Sequence, residues 1–199
     1  MESEVEEEAD VKQQPGCGPP APVPILQWEK EFEVLLELYR RFAPSRVLEI
    51  GTYHGGTLYH WLRNTEHTGA VVVSLDSYAV GVDNRHLYEE WTPPHVTLHA
   101  LEGNSHKRQT VAEVKKHGPY DWVFIDAGHF LPEVTKDWEL YSPMAAGGVV
   151  VLHDILTHPA WPSIEVGQLW EKIKRDHLTF EIVADREAEW GGLGVAILP

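Results

Sequence analysis

Short apolar runs alternate with amphipathic stretches from residue 25 onward, and this alternation restricts the possible folds more than any other feature. The runs are rich in Val, Ile and Leu and lie at residues 46–50, 71–75, 96–102, 122–125, 149–152, 180–183 and 193–198. Stretches with helical spacing separate most of them, at residues 27–42, 57–64, 105–117, 131–142 and 162–177. Strands that alternate with helices indicate parallel βαβ units, and unbroken apolar strands are typical of a sheet covered on both faces.

The pattern therefore predicts an α/β fold, with a Rossmann-like, doubly wound and mostly parallel sheet of seven strands and helices on both faces. The two last strands are expected to be joined by a turn near Gly191 and Gly192. We expect one domain over residues 25–199. Residues 1–24 are acidic and then rich in proline and glycine, so they are predicted to be a disordered tail, with a partner-binding arm as the alternative.

Composition excludes several kinds of protein. The chain has one cysteine, Cys17, which rules out an internal disulfide and a zinc site built from cysteines of this chain. The formal net charge of −15 disfavours nucleic acid and anionic membranes as partners. No apolar run approaches the ~20 residues of a membrane span. A cytoplasmic protein that acts on a small molecule is the expectation.

Acidic residues close nearly every predicted strand. They are Glu49, Asp76, Glu102, Asp126 and Asp154. In open parallel sheets, ligands bind beyond the carboxyl ends of the strands. These five residues are therefore expected to form a ring around one crevice.

The turn after the first strand is rich in glycine and indicates a nucleoside ligand. Gly51 allows a sharp turn, and Gly55 or Gly56 allows close approach of backbone. Tyr53 stands where a dinucleotide-binding loop has its middle glycine, and the Lys-Ser/Thr ending of a phosphate-binding loop is missing. A nucleoside without a phosphate chain fits, and S-adenosylmethionine (SAM) is such a ligand.

The ordered series Glu49-x-Gly51-x-x-x-Gly55, Asp76 and Glu102-Gly103-Asn104 resembles the class I SAM-dependent methyltransferases. In a SAM site Glu49 is expected to attract the ammonium group directly or through water, Asp76 to bind the ribose hydroxyls, and Asn104 or Glu102 to meet the adenine. The remaining residues expected in the cofactor pocket are neighbours of these positions or lie at the next strand end: Thr52, Tyr53, Ser77, Gly103 and Asp126.

The stretches Ile125-Asp-Ala-Gly-His129 and Val151-Leu-His-Asp-Ile155 are similar to a narrower branch. That branch contains the macrolide-sugar O-methyltransferases and the cephalosporin-hydroxylase-like proteins, and catechol O-methyltransferase is a more distant relative. The resemblance implies a divalent metal on Asp126, His153 and Asp154, with Asp126 and His129 as catalytic residues and His129 as the general base. The sugar methyltransferases have Glu at the position of His153, so either the metal differs from magnesium or the site holds none.

Three functions remain open from sequence. The first is O-methylation of a small hydroxylated molecule such as a sugar or a phenol. The second is another reaction on the same scaffold, and the third is a non-catalytic binding or structural module. The sequence also leaves open whether the chain forms a homo-oligomer. Tyr78, Trp91, His158 and Trp161 lie in predicted loops and are candidates for shaping a substrate pocket.

Overall fold

The structure is a computed structural model that describes residues 21–77, 84–156, 160–188 and 190–199. Residues 1–20 of the predicted tail, and the candidate pocket residues Tyr78 and His158, lie outside the described part. Within it, no helix combines the length and the apolar character that a membrane crossing requires.

Seven strands form one sheet, as the sequence predicts. They are β1 Arg46–Ile50, β2 Ala70–Asp76, β3 Val96–Glu102, β4 Trp122–Ile125, β5 Val149–His153, β6 Leu178–Ile182 and β7 Leu193–Ile197. Their order across the sheet is β3-β2-β1-β4-β5-β7-β6, and β7 runs antiparallel to both of its neighbours. The predicted Rossmann-like, mostly parallel fold is confirmed.

Helices cover both faces of the sheet. They are α1 Glu29–Phe42, α2 Gly56–Asn64, α3 Tyr88–Trp91, α4 Arg108–Lys115, α5 Leu131–Tyr141 and α6 Val166–Asp176. The first three pack on one face and the last three on the other, so two apolar layers enclose the strands. Short 3₁₀ turns occur at Arg85–Leu87 and Ser142–Ala145.

Several expectations from sequence differ from the structure at the element level; helix α6, for example, begins at Val166 and not at residue 162. Helix α4 begins at Arg108 and not at residue 105, because the Asn104 side chain accepts a hydrogen bond from the backbone N–H of His106 (2.9 Å) and favours a turn there. Trp91 was expected in a loop, where it could cover a substrate. It instead ends α3 and is buried in the core, edge-on to Tyr59 at 5.6 Å between ring centroids.

The sheet order fixes where a ligand can bind. The chain winds outward from β1 to β3 and then returns to β4 on the other side of β1. A crevice opens at such a reversal, beyond the carboxyl ends of the two strands that flank it. In this chain the reversal lies between β1 and β4, which end at Ile50 and Ile125.

Candidate active site

A cavity of about 830 Å³ lies at this reversal point, at the carboxyl ends of β1, β2, β4 and β5. Its size is within the range of small-molecule and cofactor sites. Among the residues expected at the cofactor site, eight contribute to its wall: Gly51, Thr52, Tyr53, Asp76, Ser77, Gly103, Asn104 and Asp126. The sequence therefore placed most of the expected residues around one space.

We call the turn between β1 and α2, residues 51–55, the glycine turn. Its conformation requires glycine at residue 51. Gly51 has a φ of +91°, and a Cβ atom there would lie 1.9 Å from the carbonyl oxygen of Asp126. The turn is thus pressed against the end of β4, which brings the loop and Asp126 to the same wall of the cavity. Gly55 also has a positive φ, but it faces Tyr88 and Trp91 and does not line the cavity.

Asp76 holds the glycine turn in place. Its Oδ2 atom accepts hydrogen bonds from the backbone N–H groups of Thr52 (2.8 Å) and Tyr53 (2.7 Å). Tyr53 has a φ of +50°, a conformation that non-glycine residues rarely adopt, and the Asp76 carboxylate helps to stabilise it. Asp76 also lines the cavity, so one side chain shapes the loop and faces the ligand space.

Glu49 lies behind the cavity wall. It is fully buried, and its Oε1 atom accepts hydrogen bonds from the Thr57 hydroxyl (2.6 Å) and the Trp61 indole (2.9 Å), both on α2. Burial raises the pKa of Glu49 to about 8, so the side chain is largely neutral at pH 7. This geometry connects Glu49 to α2 and does not bring its carboxyl to the surface where an ammonium group could touch it.

The three residues predicted to bind the cofactor at the end of β3 do not all reach the cavity. Gly103 and Asn104 line the cavity, whereas Glu102 points to solvent and pairs with Arg85 (2.7 Å). Glu102 is the last residue of an outer strand, and that position leaves its side chain outside the crevice. Asn104 is therefore the better placed of the two candidates for adenine.

Four side chains converge beside the glycine turn. The potential ligand atoms of Asp126, His129, His153 and Asp154 all lie within 4.8 Å of one another. His129 Nε2 lies 2.9 Å from Asp154 Oδ2 and 3.6 Å from Asp126 Oδ1, and His153 Nδ1 lies 3.2 Å from Asp126 Oδ1. We call these four residues the Asp–His cluster.

The carboxylates of the cluster hold its histidines in the charged form. The carboxylates of Asp126 and Asp154 beside the imidazole raise the pKa of His129 to about 10. Burial disfavours a charged His153, but Asp126 and Asp154 outweigh it and raise the pKa of that imidazole. Burial likewise opposes ionisation of Asp126, yet the two histidines keep its pKa far below the ordinary value. At neutral pH, His129 is thus a proton donor between two carboxylates and becomes a base only when its pKa is lowered.

The loop between β6 and β7 positions Asp154. Asp154 has a φ of +60°, and its Oδ1 atom accepts a hydrogen bond from the backbone N–H of Gly191 (3.0 Å). Trp190 precedes that glycine, lines the cavity and lies edge-on to His153 at 6.3 Å between ring centroids. Sequence reasoning missed Trp190, since no local motif connects this turn with the strand ends.

The cluster fits a divalent cation. The carboxylates of Asp126 and Asp154 offer oxygen ligands. The protonated His129 lies between them, and the same two negative charges would favour a metal cation at that position. His153 adds an imidazole nitrogen, since its Nδ1 atom lies 3.2 Å from Asp126 Oδ1 and 3.5 Å from Asp154 Oδ2. Because imidazole nitrogen suits transition metals better than magnesium, the donor set favours manganese, iron or zinc.

Gln27 is a further site residue that sequence reasoning missed. It lies just before α1, far from every motif in the chain, and its side chain is 7% exposed. Its Nε2 atom donates a hydrogen bond to Asp126 Oδ2 (2.6 Å), and the residue lines the cavity. A glutamine before a helix carries no signal of this contact, which joins residues 99 positions apart.

Comparison with known protein families matches residues 48–155 to the methyltransferase domain family. The chain belongs to this family. The matched segment contains the glycine turn, Asp76 and the whole Asp–His cluster. The predicted methyltransferase relationship is thereby confirmed. A search of curated protein sequences found no match.

Solved structures share the fold at low sequence identity. An O-methyltransferase from Bacillus cereus in complex with S-adenosylhomocysteine (SAH) is 16% identical, with a TM-score of 0.65 over 90% of this chain and 84% of that one. The O-methyltransferase TomG from Streptomyces achromogenes, involved in tomaymycin synthesis and in complex with SAM, is 19% identical (TM-score 0.61; 83% and 78% covered). MycE methyltransferase of the mycinamycin pathway, in complex with Mg and SAH, is 18% identical (TM-score 0.57; 83% and 48%).

Proposed function

We propose that this chain is a SAM-dependent methyltransferase that methylates a hydroxyl group of a small molecule, in the cytoplasm. The observation that carries the proposal is one continuous cavity, with the glycine turn and Asp76 on one side and the Asp–His cluster on the other. Family membership and the complexes of the structural neighbours with SAM or SAH support it.

The wall of the cavity suggests how SAM would lie. Asp76, Gly103 and Asn104 line the cavity, and in the proposed pose Asp76 would accept hydrogen bonds from the ribose hydroxyls while Gly103 and Asn104 would border the adenine. The methionine part would then lie over Gly51. Because the sulfur of SAM joins ribose and methionine, this pose directs the methyl group toward Asp126.

The acceptor hydroxyl would dock at the Asp–His cluster. Asp126 and Asp154 can orient the hydroxyl by accepting its hydrogen bond, and Trp190 lines the cavity on the side of the β6–β7 loop. A dication on the two carboxylates would lower the pKa of a coordinated hydroxyl and, by repulsion, that of His129. His129 could then take the hydroxyl proton as the methyl group is transferred.

Calorimetric titration with SAM and SAH tests the cofactor site. We expect one SAH per chain with sub-millimolar affinity. NAD and ATP should not bind, because the turn after β1 lacks the sequence of a phosphate-binding loop. Asp76→Ala should weaken SAH binding, since the variant loses a ribose contact and the support of the glycine turn. Glu102→Ala, outside the cavity, is the matched control and should bind as the wild type does. A folded wild-type protein that binds neither SAM nor SAH would refute the proposal.

Titration with magnesium, manganese and zinc tests the metal part of the proposal. We expect manganese and zinc to bind more tightly than magnesium because His153 offers a nitrogen ligand. Asp126→Asn should weaken metal binding by removing a carboxylate from the cluster. Equal metal affinity in the wild type and in Asp126→Asn would show that the cluster is not a metal site.

A further inference from the structure

The segment that leads into α1 crosses the glycine turn. We call residues 24–27 the entry segment; all four line the cavity. At one end, a Cβ atom on Gly56 would lie 2.3 Å from the carbonyl oxygen of Pro24, so the segment is in contact with the start of α2. At the other end, Gln27 reaches Asp126 at the end of β4. Any ligand over Gly51 therefore lies between the glycine turn and this segment.

The carboxamide of Gln27 has a fixed orientation. A carboxylate accepts hydrogen bonds and cannot donate them, so the atom 2.6 Å from Asp126 Oδ2 has to be the nitrogen, Nε2. The oxygen, Oε1, then points away from Asp126. It is buried and has no hydrogen-bond partner among the described residues.

A buried acceptor without a donor is unusual in a folded protein and calls for an explanation. The side chain lines the cavity, so a ligand can supply the missing donor. In the pose proposed above, the group of SAM that lies over Gly51, beside Asp126 and Gln27, is its amino-acid end. The donor at that end is the ammonium group.

We propose that Gln27 binds the amino-acid end of SAM, with Oε1 accepting a hydrogen bond from the ammonium group while Nε2 remains bound to Asp126. This inference rests on the proposed function, because it assumes that the cavity holds SAM. It gives to Gln27 the ammonium contact that the sequence suggests for Glu49, whose carboxyl lies behind the wall. The entry segment then contributes to the cofactor site through a side chain and not only as a cover.

Comparing a ligand that has the amino-acid end with one that lacks it tests the contact between Gln27 and the ammonium group. SAH carries the amino acid, whereas 5′-methylthioadenosine has the same adenine, ribose and thioether sulfur without it. Gln27→Met keeps the length and bulk of the side chain and removes the amide. We expect Gln27→Met to bind SAH about 10-fold to 100-fold more weakly than the wild type, as for loss of a hydrogen bond to a charged group, and to bind 5′-methylthioadenosine equally well.

The control variant is Gln168→Met, which makes the same substitution at an exposed position outside the cavity wall. Both ligands should bind it as they bind the wild type. If Gln27→Met proves unstable in thermal unfolding, Gln27→Asn serves instead, since it keeps an amide but withdraws it by one methylene. It should show the same selective loss of SAH.

The outcomes separate this inference from the proposed function. If the wild type binds SAH and the Gln27 variants bind it equally well, the inference is wrong and the proposed function stands. If the variants lose SAH and 5′-methylthioadenosine to the same extent, Gln27 only supports the cavity wall and the inference is again wrong. If the folded wild type binds neither ligand, the proposed function fails and this inference fails with it.

Discussion

At the scale of single residues, two carboxyl groups at neighbouring strand ends have different surroundings. Asp76 ends β2 and faces the cavity. Glu49 is one residue short of the end of β1 and shares a sheet face with Val47, because alternate side chains of a strand point to the same side. Helices α1 and α2 cover that face, so Glu49 is buried beneath α2. In the register of the two parallel strands Glu49 lies beside Ser74, so Asp76 is two residues farther toward the carboxyl edge, where its carboxyl faces the ligand space.

The burial of Glu49 predicts a pH dependence of stability. Its pKa rises from 4.5 to about 8, so the folded state binds a proton more tightly than the unfolded state does. The free energy of unfolding should therefore fall as the pH rises from about 4.5 to 8, by up to about 5 kcal/mol at roughly 1.4 kcal/mol per pKa unit. Glu49→Gln, which is neutral at every pH and keeps an oxygen for Thr57 and Trp61, should lose this part of the pH dependence.

Urea unfolding at several pH values between 5 and 9 measures this effect for both proteins. Relative to the wild type, Glu49→Gln should gain stability as the pH rises. A constant difference between the two proteins across this range would contradict the account of Glu49 as a buried, mostly neutral acid.

At the scale of elements, α1 is joined to the loop between β6 and β7 by one buried carboxylate. Glu31 Oε1 accepts a hydrogen bond from the backbone N–H of Ala184, and Oε2 accepts one from that of Gly192, both at 2.9 Å. Trp28, just before α1, packs on Trp190 with 5.4 Å between ring centroids. The N-terminal end of α1 thereby holds the loop that places Trp190 and the Gly191 N–H at the site.

Removing this carboxylate should destabilise the protein. Glu31→Ala leaves two backbone N–H groups without their acceptor, at about 1–3 kcal/mol for each group that stays buried. Glu37→Ala on the same helix removes only surface pairs with Arg40 and Arg41 and should cost less than about 1 kcal/mol. Urea unfolding at pH 7 compares the two variants. A loss for Glu31→Ala no larger than that for Glu37→Ala would show that Glu31 does not secure the loop.

At the scale of the whole molecule, the sequence predicted the features that recur along the chain, which are apolar strands alternating with helices. Runs of Val, Ile and Leu between helices indicated the seven strands, and the rule for open parallel sheets placed Asp126, His153 and Asp154 at one edge. What it could not predict are contacts between distant segments that have no motif. The hydrogen bond from Gln27 to Asp126 spans 99 positions, and that between Gly192 and Glu31 spans 161. Such pairs join segments that are distant in the sequence and come together only in the folded domain.

The fold also limits what a strand-end residue can do. Glu102 and Asp76 end adjacent parallel strands and are paired in register, yet only Asp76 reaches the cavity. β3 is an outer strand and lies farther from the reversal point between β1 and β4. Sequence identifies the residues at the strand ends, and the order of the strands decides which of them meet the ligand.

A crystal structure of the chain soaked with SAH tests most directly the claim that this cavity is the cofactor site. We predict the ribose at Asp76, the adenine beside Asn104 and the amino-acid end between Gly51 and Gln27, with the sulfur toward the Asp–His cluster. A well-occupied SAH elsewhere on the protein, or a cavity that stays free of SAH at saturating concentration, would contradict the account.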